Sequence, residues 1–338
     1  MCMDYDKLVK EFGAERFEVM PDELKDLRMA KYIVSHRDFL SISKKPFAIV
    51  SGRGPSGKFH LGHLATFMFV KQMQDKYKCR VFIPFSNDEK FLLRGISFED
   101  AQNYAMDNLL DIIALGFDPE LTDIIIDLYN LPQDLYNLAI RVSRKITYST
   151  VKALLGFTSE TNIGLSFYSA MQVAHILYPT MKYGLPSVVI VAIDQDPFIR
   201  LTRDIAEKLG YHKPGALHLG YIPSLQGEQK MSSSSPYSAI FTTDDPETVK
   251  KKVMNAFTGG RETLSLQKEK GGNPSICSVY AYLDLFGADT EQIKKDCVAG
   301  KRMCGDCKKE LITLLNAFLD EHRRKREKSK NLVRKFLK

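Results

Sequence analysis

Pro46-Phe-Ala-Ile-Val50 runs directly into Ser51-Gly-Arg-Gly-Pro-Ser-Gly-Lys-Phe-His-Leu-Gly-His63. The first five residues are a short apolar run between a proline and a glycine-rich loop, which predicts a buried strand. After the loop, Leu61, Leu64, Phe67, Met68 and Met73 recur at helical spacing through residues 61–77. A strand that turns through glycines into a helix opens a parallel α/β unit, and ligands of such sheets bind outside the carboxyl ends of the strands.

The pattern repeats outward from this stretch. Arg80-Val-Phe-Ile-Pro84, Thr122 to Leu128 and Val188 to Asp194 read as further strands, the last almost wholly apolar, as parallel strands buried on both faces are. Between them, residues 97–116 read as an amphipathic helix with Ser97 as its N-cap, and 132–155 and 164–178 as a helical insertion. Pro197 opens another helix. The alternation predicts a doubly wound, Rossmann-like parallel sheet. Residues 4–12 and 22–40 read as helices that cover it. Past Gly227-Glu-Gln-Lys-Met-Ser-Ser-Ser-Ser-Pro236 the texture changes, and from about residue 245 everything reads as helix. The expected organisation is an N-terminal helical segment over 1–45, a catalytic α/β domain over 46–243 with its insertion at about 132–178, and an all-α domain over 244–338.

A chain of 338 residues with 44% hydrophobic and 26% charged residues has ordinary globular composition and length for about two domains. Six cysteines are too sparse for a secreted disulfide framework. The start has no basic region followed by an apolar one, and the longest strongly apolar run, Val188 to Ile193, is far short of a membrane span. The expectation is a cytoplasmic protein with no membrane partner. The net charge of +7 is local: residues 321–338 hold nine Lys/Arg against two Glu, and the remaining 39 of each sign cancel. Such a run suits either a solvated helix end or contact with nucleic-acid phosphates.

The loop of residues 52–63 satisfies three patterns. Gly52, Gly54 and Gly57 spell the dinucleotide fingerprint GxGxxG, which would make the protein a nicotinamide-dependent dehydrogenase, but the nearest acids, Asp88 and Glu89, come too late after the second strand. Gly52 to Lys58 spell the start of a P-loop, but Phe59 stands where a Mg2+-binding hydroxyl is needed. The third pattern is His60-Leu-Gly-His63, two histidines on one face of a helix start, where backbone N–H groups favour a phosphate. A distant motif decides among them. Lys230-Met-Ser-Ser-Ser234, about 170 residues on, places a mobile cation among small hydroxyls, suited to a leaving pyrophosphate.

This pair of motifs resembles those of class I aminoacyl-tRNA synthetases, and within them the tryptophanyl-tRNA synthetases of the archaeal and eukaryotic branch. The resemblance covers nearly the whole chain, through Ser35-His-Arg-Asp38, Ser51 to Gly57, Asn87-Asp-Glu-Lys90, Ala192-Ile-Asp-Gln-Asp-Pro197, Arg200-Leu-Thr-Arg-Asp204 and Phe257-Thr-Gly-Gly-Arg261. It implies activation of L-tryptophan by ATP, with Mg2+ on the nucleotide, and transfer to tRNA(Trp), in a homodimer whose helical C-terminal domain reads the anticodon. It implies that Lys230, His60 and His63 are the catalytic groups. ATP would be held by Gly52, Arg53, Gly54, His60, Gly62, His63, Asp194, Lys230, Met231, Ser232, Ser233 and Ser234. Glu89, Gln172 and Gln195 would hold the α-amino end of the amino acid.

The resemblance leaves the indole unassigned. Eukaryotic members carry a Tyr and a Gln where this chain has Val50 and Pro84. The rival within the fold is a tyrosine enzyme, whose archaeal members carry a Tyr at the first of these positions and an Asp where this chain has His175. A non-catalytic RNA-binding paralogue would have no chemical need for the histidines, Lys230 and Glu89 together. Finally, Cys277, Cys297, Cys304 and Cys307 are spaced C-x19-C-x6-C-x2-C. The spacing is similar to that through which some bacterial tryptophanyl enzymes hold a [4Fe–4S] cluster, and it suits zinc equally; buried structural thiols are the alternative.

Overall fold

The computed structural model describes residues 5–233 and 235–337. Its strands are β1 (Ile33–Arg37), β2 (Ala48–Val50), β3 (Arg80–Phe85), β4 (Thr122–Ile126), β5 (Ser187–Ala192) and β6 (Gly215–Leu219). They form one sheet in the order β1-β6-β5-β2-β3-β4. All neighbours are parallel except β1, which pairs antiparallel with β6 at the edge. From β1 at one edge the chain crosses to β2, moves out through β3 and β4, and returns to the other side of β2 for β5 and β6. The reversal between β2 and β5 is a topological switch point, where doubly wound sheets open a crevice.

The doubly wound sheet and the helical region after residue 245 are as expected. Two strands are corrections. Residues 22–40, read as helix, contain only a short helix at Asp22–Lys25 and a 3-10 segment at Arg28–Tyr32 before β1. The strand β6 was not expected at all. Both hide behind polar residues: Ser35 and His218 face each other in the β1–β6 register, both are buried, and Ser35 Oγ lies 2.8 Å from His218 Nδ1. Each satisfies the other, so each strand can bury a polar residue.

The core on one side of the sheet is built by the helix Ile163–Tyr183, packed with the helices Gln133–Ser143 and Asp196–Leu209. Leu138, Val142, Val173 and Leu177 are fully buried there beside Val50 of β2 and Phe82 of β3. Asn162 caps the long helix by accepting the Leu165 N–H. Its Tyr168, Gln172 and His175 fall on one face at i, i+4 and i+7.

The chain divides into two compact units. One holds the sheet and, among the described residues, 5–56, 66–220 and 329–337. The other comprises Gly57–Ala65 and Tyr221–Lys328. Its helices are Pro246–Met254, Leu264–Lys270, Ser278–Leu285, Thr290–Val298 and Cys304–Ser329. Asp245, Thr263 and Asp289 cap three of them through side-chain oxygens. Leu311, Leu315 and Leu319 form a fully buried i, i+4, i+8 stripe on the longest.

Candidate active site

The loop after β2 is pinned to the end of β3. Arg53 N–H donates to the Pro84 carbonyl (2.8 Å), and Ser86 N–H donates to the Arg53 carbonyl (2.9 Å). Pro84 has no N–H of its own, but its carbonyl still serves as an acceptor. On the other side of β2, β5 ends in a 3-10 turn, Ile193–Gln195, that leads into the Asp196–Leu209 helix. Asp196 fixes this turn. Its buried carboxylate accepts from Arg37 Nε (2.6 Å) and Nη2 (2.7 Å), and His218 Nε2 lies 3.1 Å away. Burial works against the Asp196 charge, but Arg37 and His218 outweigh it and hold the carboxyl below its usual value.

These segments enclose a cavity of about 410 Å3 in the sheet unit. Gly52, Arg53, Gly54, Glu89, Gln172 and Gln195 all line it. The three amino-acid candidates therefore share one cavity with the glycine-rich loop. Gln172 Nε2 lies 3.5 Å from Gln195 Oε1, while Gln172 Oε1 is buried with no hydrogen-bond partner, an acceptor turned to no protein donor. Glu89 Oε2 pairs with Lys90 Nζ at 2.5 Å. A Cβ on Gly54 would run into Lys90 Cε, so the absent side chain leaves room for that pair. Arg53 donates to Asn108 Oδ1 (3.0 Å) and to the Gly54 carbonyl (2.6 Å). Burial opposes its charge and Glu89 supports it. Asp194 stands exposed on the 3-10 turn and does not line the cavity.

The same cavity contains Tyr168, which sequence reading missed, and His175, which it noted only as a departure from the tyrosine enzymes. Tyr168 lines it, with a phenol pushed well above its ordinary value by burial and then by Glu89, so it stays protonated. His175 also lines it, 2% exposed, with Nε2 2.9 Å from Asp127 Oδ1. Burial alone pulls His175 down, but Asp127 and then Asp88 reverse that and raise it. Burial and the neighbouring Asp127 push Asp88 up to about 8. The spacing of Tyr168, Gln172 and His175 on one helix face was the available signal. The unmatched Val50 and Pro84 line the cavity too.

The other unit gathers the two nucleotide motifs. A bridge between His60 and Phe241, with Leu61 N–H donating to the Ile240 carbonyl (3.0 Å), joins segments far apart in sequence. The His60 and His63 rings stack with centroids 3.5 Å apart, at the start of the Leu61–Tyr77 helix. Gly62 N–H points at Met231 Sδ (3.2 Å), and a Cβ on Gly62 would press on the His60 ring at 3.1 Å. Ser233 Oγ donates to the Lys58 carbonyl (3.4 Å), and Ser232 N–H donates to Ser238 Oγ (3.3 Å). Lys230 Nζ sits 5.5 Å from the Tyr221 ring centroid. Thus His60, Gly62, His63, Met231, Ser232 and Ser233 are brought together, while Ser234 lies outside the described residues.

Cys277, Cys297, Cys304 and Cys307 line one small cavity in this unit, beside Arg302. Two of the four sulfurs accept hydrogen bonds. Cys277 Sγ accepts the Tyr280 N–H (3.4 Å) as a helix cap, and Cys307 Sγ accepts from Arg302 Nε (3.1 Å). Burial pushes the Cys297 and Cys307 thiols up. Among the described residues no group of three or more His, Cys, Asp or Glu side chains has the geometry to hold a metal. The spacing gathers the cysteines at one cavity, but nothing in their arrangement supports zinc or an iron–sulfur cluster there.

Residues 43–320 match the family described as class I tRNA synthetases (W and Y). Tryptophan–tRNA ligase of Pyrobaculum aerophilum is 44% identical, over 99% of this chain and 94% of that one. The Pyrococcus horikoshii tryptophan–tRNA ligase is 41% identical over 99% and 90%. Among solved structures, tryptophanyl-tRNA synthetase from Encephalitozoon cuniculi bound to tryptophan superposes with a TM-score of 0.90 at 30% identity, covering 100% of this chain and 98% of that one. The Aeropyrum pernix enzyme gives 0.88 at 34%, covering 98% and 96%.

Proposed function

The chain belongs to the class I tRNA synthetases of the W and Y group, and from that membership we propose that it is an ATP-dependent tryptophan–tRNA ligase. The observation that carries the choice of tryptophan is the 44% identity, over essentially the full chain, to a tryptophan–tRNA ligase. In the first step the substrate carboxylate attacks the α-phosphorus of ATP, the bond to the bridging oxygen breaks, and pyrophosphate leaves. In the second, the terminal ribose hydroxyl of the tRNA takes the acyl group and AMP leaves. Neither step needs an enzyme nucleophile, so the protein contributes position and charge.

Glu89, Gln172 and Gln195 receive the α-ammonium group. The ammonium exchanges with Lys90 for Glu89 and gives the bare Gln172 Oε1 a donor. Their shared cavity and the missing partner on Gln172 support this. Gly52, Arg53 and Gly54 lie beside the phosphates. His60, Gly62 and His63 hold the nucleotide, Asp194 meets its ribose, and Lys230 with Met231 and the serines 232–234 neutralises the departing pyrophosphate. Mg2+ arrives with ATP and adds positive charge on the phosphate oxygens.

Residues 244–338 read the anticodon, and the exposed Arg324, Lys328, Arg334 and Lys335 meet tRNA phosphates. The enzyme works as a cytoplasmic homodimer. Support for the dimer is a set of exposed apolar side chains on the helical insertion, Tyr136, Ile140, Tyr148 and Ile163, the last 88% exposed. No helix among the described residues is long and apolar enough to cross a membrane. The test is charging. With ATP, Mg2+ and unfractionated archaeal tRNA, labelled tryptophan becomes acid-precipitable and labelled tyrosine does not; tyrosine charging overturns the choice of amino acid.

A further inference from the structure

The departure of Val50 and Pro84 from the eukaryotic pattern leaves the indole N–H without an obvious acceptor. A buried N–H with no acceptor costs about 1–3 kcal/mol, so a site specific for tryptophan needs one. We propose that His175 Nδ1 is that acceptor and that Asp127 holds the ring in the tautomer that leaves Nδ1 bare. The inference rests on the tryptophan reading above and deepens it.

The placement comes from three neighbours. His175 lines the cavity one turn beyond Gln172 on the same helix, about 4.5 Å further along its axis. An amino acid whose ammonium group meets Gln172 therefore brings its side chain to His175. There the wall is apolar. Val50, Ile176, Val189 and Ile199 line the cavity with it, so an indole face finds hydrocarbon beside the His175 ring.

The tautomer follows from the partner. Asp127 opens the short helix after β4, where Asn87 Oδ1 accepts the Leu128 N–H (3.0 Å) and Asn130 Oδ1 accepts the Ile126 N–H (2.7 Å), so its backbone is fixed from both sides. Its carboxylate can only accept, and it lies 2.9 Å from His175 Nε2, which must then carry the proton. A neutral imidazole has one N–H, so Nδ1 presents a lone pair. Among the described residues no protein group bonds Nδ1. The neighbouring Asp88, pushed up to about 8 by burial and then by Asp127, is mostly protonated at neutral pH, which keeps the pair of carboxyls from carrying two charges. Asp127 and Asp88 raise the His175 value, so the acceptor form prevails on the alkaline side. A phenylalanine in this site would leave Nδ1 unpaired, which gives rejection as well as binding.

The experiment compares pyrophosphate exchange with tryptophan and with 3-benzothienylalanine, an isostere in which sulfur replaces the N–H, at alkaline pH. The wild-type protein favours tryptophan by roughly 10–100-fold in kcat/KM, the range for one buried hydrogen bond. H175Q keeps a polar group at the Nε2 position, and so the Asp127 contact and the fold, but has no acceptor at the Nδ1 position; its preference falls to about threefold or less. H175N places Oδ1 at the Nδ1 position and keeps most of the preference. Tryptophan-dependent exchange with no preference in the wild type, or an undiminished preference in H175Q, overturns the assignment of His175 alone. Absence of any tryptophan-dependent exchange in the wild type removes the parent reading, and this one with it. A purely structural His175–Asp127 pair predicts that both variants lose activity on the two substrates equally.

Discussion

Asp88 is a carboxylic acid whose folded-state value is raised from 3.8 to about 8, first by burial and then by Asp127. In the unfolded chain it ionises near its ordinary value. Its contribution to stability is therefore complete below about pH 4 and is lost progressively as pH rises to about 8. D88N removes this slope: its denaturant midpoint changes less than the wild type's between pH 5 and 8.5, and an unchanged slope would show that another group is responsible. Lys230 offers the corresponding functional prediction. K230A lowers tryptophan-dependent pyrophosphate exchange by about 10²–10³-fold, the usual effect of removing one transition-state charge stabiliser, while substrate affinity measured without ATP is unchanged. At this scale the sequence was uneven. His60, His63 and Lys230 were legible because histidines at a helix start and a lysine before serines have a chemistry of their own. Glu89, Gln172 and Gln195 were legible only through family resemblance, since a lone amide on an apolar helix announces nothing. The role of His175 depends on Asp127, 48 residues away, and on a cavity that no spacing describes.

Among the elements, the turn after β5 depends on residues from two strands that sequence reading missed. Arg37 of β1 clamps Asp196, and His218 of β6 lies against it, so the position of Gln195 is set by the far edge of the sheet. D196N keeps the shape but loses the charge that Arg37 meets. We expect it to lower stability by about 3–5 kcal/mol, as for a broken buried ion pair. It should also weaken tryptophan binding at least tenfold, because Gln195 is no longer held. The chain contains no Trp, so the fluorescence of the added amino acid reports that binding without background. An affinity equal to the wild type's would separate the clamp from the site. The strands β2 to β5 were legible because each buries an apolar run on both faces. β1 and β6 were not, because each buries a polar residue, Ser35 or His218, and their mutual hydrogen bond exists only once the strands are paired.

For the whole molecule, the excess charge lies in the last 18 residues. Part of it is used internally: Arg323 donates to the Asp244 carbonyl, and Lys325 pairs with Glu321 at 2.6 Å. Arg324 and Lys328 are exposed on the same helix. If they meet phosphates, replacing both with alanine weakens tRNA binding at all sequences alike and reduces the slope of log K against log salt by about two, one per contact. An unchanged slope assigns them to solvent. The all-helical stretch from Pro246 was legible in the change of texture after the serine run. What was not legible is that Gly57–Ala65, which continues the first strand's loop, packs with Tyr221–Lys328, because the bridge from His60 to Phe241 joins segments that share no local pattern. The account stands or falls on substrate choice. ATP–pyrophosphate exchange run separately with tryptophan, tyrosine and phenylalanine is predicted to proceed with tryptophan alone; exchange driven by tyrosine, or none with any of the three, would contradict it.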